Sequence, residues 1–141
     1  MTLYLDTSAL VKLYVEEEFS DWVLEWTKRA ERIASSGVAY AEIASALRRI
    51  FQEERISAED LRRVWKAFKK DWEGYTRVWL TQEVANLAAD LIFRYRLKGF
   101  DGIHLASASL LKDVVGKVVF VSFDRKLNEA AASEALEVLK V

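Results

Sequence analysis

The 141-residue chain carries 21 basic and 22 acidic side chains, no cysteine and a single histidine, His104. Disulfides, thiolate metal sites and sites built from several imidazoles are therefore excluded, and any metal must be held by oxygen. The formal net charge of -1 offers no broad cationic field, so any nucleic-acid site must be local. A chain of this length buries roughly two thirds of its unfolded surface around one core. With no repeat, low-complexity tract or linker, residues 1–141 read as a single domain. The apolar runs are short and broken by charge, and the N-terminus lacks a leader pattern, so a soluble, cytoplasmic protein is expected.

In chain order, Leu3-Tyr4-Leu5 reads as a short buried strand, and Asp6-Thr7-Ser8 as the cap of a helix that begins at Ala9, Leu10 and Val11. Ser20 reads as the N-cap of a helix to about Ala30 with Trp22 and Trp26 on one face, and Ile33-Ala34-Ser35 as a second strand. Val38 to Glu54 has helical periodicity. Ser57 and Asp60 resemble a capping box opening a helix that carries Leu61, Val64, Trp65, Phe68 and Trp72, and these two helices are expected to form a hairpin. Tyr75 to Leu80 reads as a third strand. Thr81 caps a helix to about Leu97, with Gly99 expected to end it, and the next helix runs from Asp101 to about Val115 before Gly116. Val118 to Phe123 is the clearest buried strand, Asp124 caps a helix through Ala132, and Leu136 to Val141 is the final strand. Strands alternating with helices imply an α/β domain with a mostly parallel sheet of about five strands and helices on both faces.

Asp6 and Asp124 each follow an apolar strand, and Asp101 stands at a helix start. Acids at the carboxyl ends of neighbouring parallel strands would converge where such sheets bind ligands. Each aspartate alone is explained as an N-cap. Glu42, inside an apolar helix stretch, has no capping role and either projects into solvent or joins the others. Together the four suit a divalent cation, because Mg²⁺ and Mn²⁺ prefer carboxylate and water oxygens. Such a site can polarise a phosphoryl group and generate a nucleophilic water.

LDTSALVKLYVEE at the N-terminus, AYAEIASALRR, GFDGIHLASA and VSFDRKLNEAA resemble, in that order, the four motifs of PIN-domain ribonucleases, most closely the VapC-type toxins of toxin-antitoxin pairs. The resemblance implies a three-layer α/β/α sandwich and an Mg²⁺- or Mn²⁺-dependent endoribonuclease acting on single-stranded RNA, with one or two ions held by Asp6, Glu42, Asp101 and Asp124. It implies a toxin that inhibits translation and growth, a homodimer, and a cognate antitoxin partner. Thr7, Ser8 and Ser122 would be hydroxyl partners of the acids, and Asn128 would orient Asp124 or a water. No motif acid is missing, and Gly102 and Ser122 stand at positions that tolerate small residues.

Other residues carry weaker signals. His104, three positions after Asp101, reads first as a packing residue and second as a proton-transfer or RNA contact. Lys12, Arg125 and Lys126 are candidate phosphate contacts, whereas Arg48-Arg49, Arg94, Arg96 and Lys98 read as solvated helix faces. Trp22, Trp26, Trp65, Phe68 and Trp72 either fill the core or line a groove between the second and fourth helices that receives an antitoxin segment. Two other classes compete with the nuclease. A receiver-like signalling domain would need adjacent acids after the first strand, and a silent RNA-binding or interaction module would need the acids to be incidental caps.

Overall fold

In the computed structural model, which describes residues 1–141, the first strand, β1 (Thr2–Leu5), is buried along its whole length. It must therefore be apolar on both sides. Leu3 and Leu5 enter one core, and Tyr4, pointing the opposite way, enters the other. The remaining strands are β2 (Arg32–Ser36), β3 (Thr76–Val78), β4 (Val118–Val121) and β5 (Glu137–Val138), in the order β3-β2-β1-β4-β5 with every pairing parallel.

The helices are α1 (Thr7–Leu10, continued by a 3-10 turn through Leu13), α2 (Ser20–Arg29), α3 (Ala39–Gln52), α4 (Ala58–Trp72), α5 (Gln82–Tyr95), α6 (Gly99–Val115) and α7 (Arg125–Ser133). α1 to α4 cover the face that receives Leu3 and Leu5, and α5 to α7 cover the face that receives Tyr4, Val118 and Phe120. This is the expected three-layer α/β/α sandwich. No helix is long and apolar enough to cross a membrane.

Local chemistry fixes most boundaries. The capping box at Ser57 and Asp60 is present, and Thr81 accepts the amide of Val84 at 3.2 Å. Gly116, at φ 90°, ends α6 in a conformation that side chains disfavour. Three expectations need correction. Ser20 lies inside α2, its hydroxyl donating back to the Val15 carbonyl, and Phe19 holds the cap position. α5 ends at Arg96 in the left-handed region, so Gly99 begins α6 instead of closing α5. The last strand shrinks to Glu137–Val138, because only its first residues pair with β4.

Gly102 has a packing reason. A Cβ there would lie 2.4 Å from Ile92 Cγ1 and 3.1 Å from the Ala88 carbonyl, so α5 and α6 can approach closely only with glycine at this point.

Candidate active site

The sheet reverses direction of growth between β1 and β4, and the register that pairs Leu5 with Val121 sets Asp6 beside Ser122 at the carboxyl edge. This is the switch point at which open parallel sheets hold ligands. Asp6 is 4% exposed, yet its carboxylate is fully partnered. Oδ1 accepts from Ser8 Oγ at 2.7 Å and from the Ala9 amide at 3.0 Å, and Oδ2 accepts from Ser122 Oγ at 2.6 Å. Burial still pushes its carboxyl above the ordinary value, against the pull of His104 and these donors.

Asp124 caps α7 by accepting the Leu127 amide on Oδ1 at 2.9 Å, leaving Oδ2 without a protein donor. Ser122 Oγ links the two strand-end acids, because it donates to Asp6 and accepts the Asp124 amide at 3.0 Å. Ser8 Oγ likewise accepts the Phe123 amide at 2.9 Å. Asn128 does not orient Asp124. Its Nδ2 donates to the Ser122 carbonyl at 2.8 Å, while its Oδ1 is buried without a partner.

Glu42 enters from α3. Its Oε1 accepts from Thr7 Oγ1 at 2.6 Å and faces His104 Nε2 at 2.8 Å. Burial acts to raise this carboxyl, but the bonds to His104 and Thr7 outweigh it and hold Glu42 below the ordinary range. His104 is 2% exposed, and its Nδ1 lies 2.8 Å from the hydroxyl of Tyr4. Burial first, and then the charges of Asp6 and Glu42, push the Tyr4 phenol well above its ordinary value, so it keeps its proton. The Glu42 carboxylate can only accept, so Nε2 carries a proton directed at it, while the Tyr4 hydroxyl holds the ring by its other nitrogen. His104 is thus a positioning residue for Glu42. Its spacing from Asp101 signalled the shared helix face, but nothing local to the sequence could reveal Tyr4, 100 positions away.

Asp101 is the third residue of α6, whose cap is Lys98, so it caps nothing. It accepts no hydrogen bond from any protein group. Burial raises its carboxyl first, followed by the negative charges of Asp124, Asp6 and Glu42, with His104 offsetting part of this. Asp101 accordingly feels the other three acids at this edge. No three of them stand close enough to form a ready-made metal cage. The donor set still fits a hard cation, because both Asp101 oxygens, Asp124 Oδ2 and Glu42 Oε2 lack protein donors, and Mg²⁺ characteristically uses one or two carboxylates and keeps several waters.

The candidate phosphate contacts are already engaged. Lys12 pairs with Glu17 at 3.4 Å, donates to the Glu18 carbonyl at 2.9 Å and lies over the Phe123 ring. Arg125 pairs with Glu129 at 3.2 Å, and Lys126 donates to the Arg96 carbonyl at the end of α5. The aromatic groove also needs correction. Phe68 and Trp72 are buried core, packed with Tyr40, and Trp65 stacks on Phe68. Trp22 and Trp26 form a separate group against Phe123. A cleft of about 700 Å³ does lie between α2 and α4, but Leu13, Tyr14, Leu24, Thr27 and Tyr75 line it in place of the five predicted aromatics.

The PIN domain family model matches residues 3–133. Ribonuclease VapC45 of Mycobacterium tuberculosis (strain CDC 1551 / Oshkosh) is 31% identical over 96% of this chain and 93% of its own length, and Ribonuclease VapC46 (strain ATCC 25618 / H37Rv) is 28% identical over 97% and 95%. Among solved structures, FitAcB from Neisseria gonorrhoeae superposes with a TM-score of 0.74 at 14% identity, covering 98% of this chain and 96% of that one. VapBC2 from Rickettsia felis bound to a promoter DNA fragment gives a TM-score of 0.67 at 12% identity, covering 99% and 98%. With its acid-lined switch point, its parallel sandwich and a family match over nearly its whole length, the chain belongs to the PIN-domain family and is similar within it to the VapC ribonucleases.

Proposed function

We propose that this chain is an endoribonuclease that hydrolyses phosphodiester bonds of single-stranded RNA with one or two Mg²⁺ or Mn²⁺ ions, and that it is the toxin of a toxin-antitoxin pair. Asp101 carries this reading. A half-buried carboxylate with no hydrogen-bond donor and no capping role, held against Asp6, Glu42 and Asp124, destabilises the fold unless a cation joins it. The names of the relatives, Ribonuclease VapC, support the same activity.

When bound, the cation supplies a Lewis acid and lowers the pKa of water. The chain's own residues supply position. Ser8, Ser122 and the Ala9 amide fix Asp6, while Thr7 and His104, oriented by Tyr4, fix Glu42 from the opposite side. Asp101 and Asp124 keep free oxygens toward the edge for a cation or a coordinated water. Growth and translation would stop when the toxin acts alone. An antitoxin segment seated in the α2–α4 cleft would restrain it, and two copies would associate as a homodimer in the cytoplasm. A solved neighbour described as a toxin-antitoxin complex from Klebsiella pneumoniae supports the antitoxin partner.

The test is cleavage of a single-stranded RNA by purified protein with Mg²⁺, with Mn²⁺ and with excess chelator, followed on sequencing gels. Metal-dependent cleavage that disappears in Asp101→Asn is expected. Cleavage undiminished by chelator would refute the mechanism, and light scattering tests the dimer.

A further inference from the structure

Two clefts flank the acid edge and meet at the same two residues, Glu42 and Phe100. One, of about 520 Å³, runs from Thr7 along α3 to Arg49, and the other, of about 490 Å³, runs from Asp101 to Lys98. Both volumes lie in the ~300–1,000 Å³ range of small-ligand sites. Phe100 forms the wall between them. It is 55% exposed and stacks on no other aromatic ring, although it immediately precedes a half-buried acid. An exposed phenyl beside Glu42 and Asp101 contributes little to the core.

The cations at the far ends differ from the others around the site. Arg49 and Lys98 are exposed and take part in none of the chain's ion pairs. Arg49 follows Glu42 by seven positions, about two turns on the same face of α3, which places it roughly 10 Å along the helix axis. That span is one to two nucleotide steps of an extended strand. A polyanion crossing the acids thus meets a free cation on each side and an aromatic face in the middle.

From this arrangement, and resting on the nuclease reading above, we propose that Phe100 is a stacking platform for a nucleobase next to the scissile phosphate, with Arg49 and Lys98 holding the phosphates on either side. The occupant is single-stranded RNA, because a phenyl face can stack only on a base that is free of a duplex. Every base has such a face, so the subsite tolerates any sequence. Phe100 then determines strandedness, and the two cations determine the register of the backbone across the acids.

The experiment measures steady-state cleavage of a short single-stranded RNA by wild type, Phe100→Ala, Phe100→Trp, Phe100→Leu and Arg49→Ala in Mn²⁺. It uses the intact oligonucleotide and a set carrying one abasic nucleotide at each position near the cut. Stacking worth ~1–3 kcal/mol per base predicts that Phe100→Ala raises KM by about fivefold or more. Phe100→Trp should restore KM and Phe100→Leu should not. One abasic position should cost wild type the same factor and cost Phe100→Ala nothing further. Arg49→Ala should lower the salt dependence of kcat/KM by about 0.7 in log-log slope, one phosphate contact on a single strand. If wild type cleaves while Phe100→Ala shows an unchanged KM, or if its defect persists at every abasic position, the stacking subsite is wrong and the nuclease stands. A changed oligomeric state or weakened antitoxin binding with unchanged KM would assign Phe100 to a protein interface and overturn the proposal. No metal-dependent cleavage by wild type would overturn both readings.

Discussion

Asp101→Asn isolates the electrostatic load on the site, since this carboxylate accepts no hydrogen bond and caps no helix, so the substitution removes charge and little else. Its neighbours are three acids, partly offset by His104. A pair of like charges at a partly solvated edge repels by roughly 0.2–1 kcal/mol, the magnitude of an exposed ion pair with the sign reversed. Three such pairs less the His104 contribution leave a gain of about 1 kcal/mol for the metal-free variant, or roughly 2–4 °C in Tm for a domain of this size. The pH dependence has a definite sign. Asp101 binds its proton more tightly folded than unfolded, so its charge opposes folding increasingly as pH rises through the raised value. The advantage of the variant should thus be full at neutral pH and shrink as pH falls toward about 4, near the ordinary aspartate value. Urea unfolding from pH 4 to 8 in chelator measures this, and melts in excess Mg²⁺ should then favour wild type, whose larger metal-induced shift follows from binding to the folded state alone. A variant no more stable than wild type in chelator, or a pH-independent difference, would refute the argument that the acids share one edge under mutual repulsion.

Other outcomes are expected from the packing. Tyr4→Phe leaves the buried Nδ1 of His104 without its hydrogen-bond partner and should destabilise the domain by about 1–2 kcal/mol, with reduced cleavage as Glu42 loses its fixed partner; chemical denaturation and kcat both check it. Gly102→Ala forces Ile92 aside and crowds the Ala88 carbonyl, which should cost about 1–2 kcal/mol and is read by thermal melting. Leu24→Asp places a charge in the exposed α2–α4 cleft and should abolish antitoxin capture in pull-downs while leaving RNA cleavage intact.

The parts of the fold written in short-range pattern were legible in the sequence. β1 and β4 announce themselves as apolar runs ending in a capping acid, and Ser57, Thr81 and Gly116 mark helix ends by chemistry that needs only their neighbours. The failures are long-range. Gly99 looked like a stop because glycine favours helix ends, yet Arg96 takes the left-handed turn three residues earlier, and α6 begins early enough that Asp101 has no cap to serve. Helical spacing correctly aligned Trp65, Phe68 and Trp72, but could not show that Tyr40 across the hairpin covers them. Lys126, a candidate phosphate contact by its place beside Asp124, also reaches the carbonyl of Arg96, a contact that sequence cannot show.

The acids divide by how they are held, and the division determines what can move. Asp6 directly follows β1 and Asp124 caps α7 three residues beyond β4, and Ser122, at the end of β4, ties the two together, so their separation follows from the register of β1 and β4 and from the turn into α7. Glu42 and Asp101 come from opposite layers, α3 on one face and α6 on the other. Their separation is set by how the two layers meet beyond the end of β1. His104 is the tie at that point, a residue of α6 bonded both to Glu42 of α3 and to Tyr4 of the strand between them. Loosening it, or shifting α6 against α5 at Gly102, therefore changes the spacing of the two helical acids without altering any acid, and moves Phe100 relative to Arg49 by the same displacement. Cleavage chemistry and strand positioning are consequently coupled through one buried histidine, whose role is missed if it is counted only as core packing.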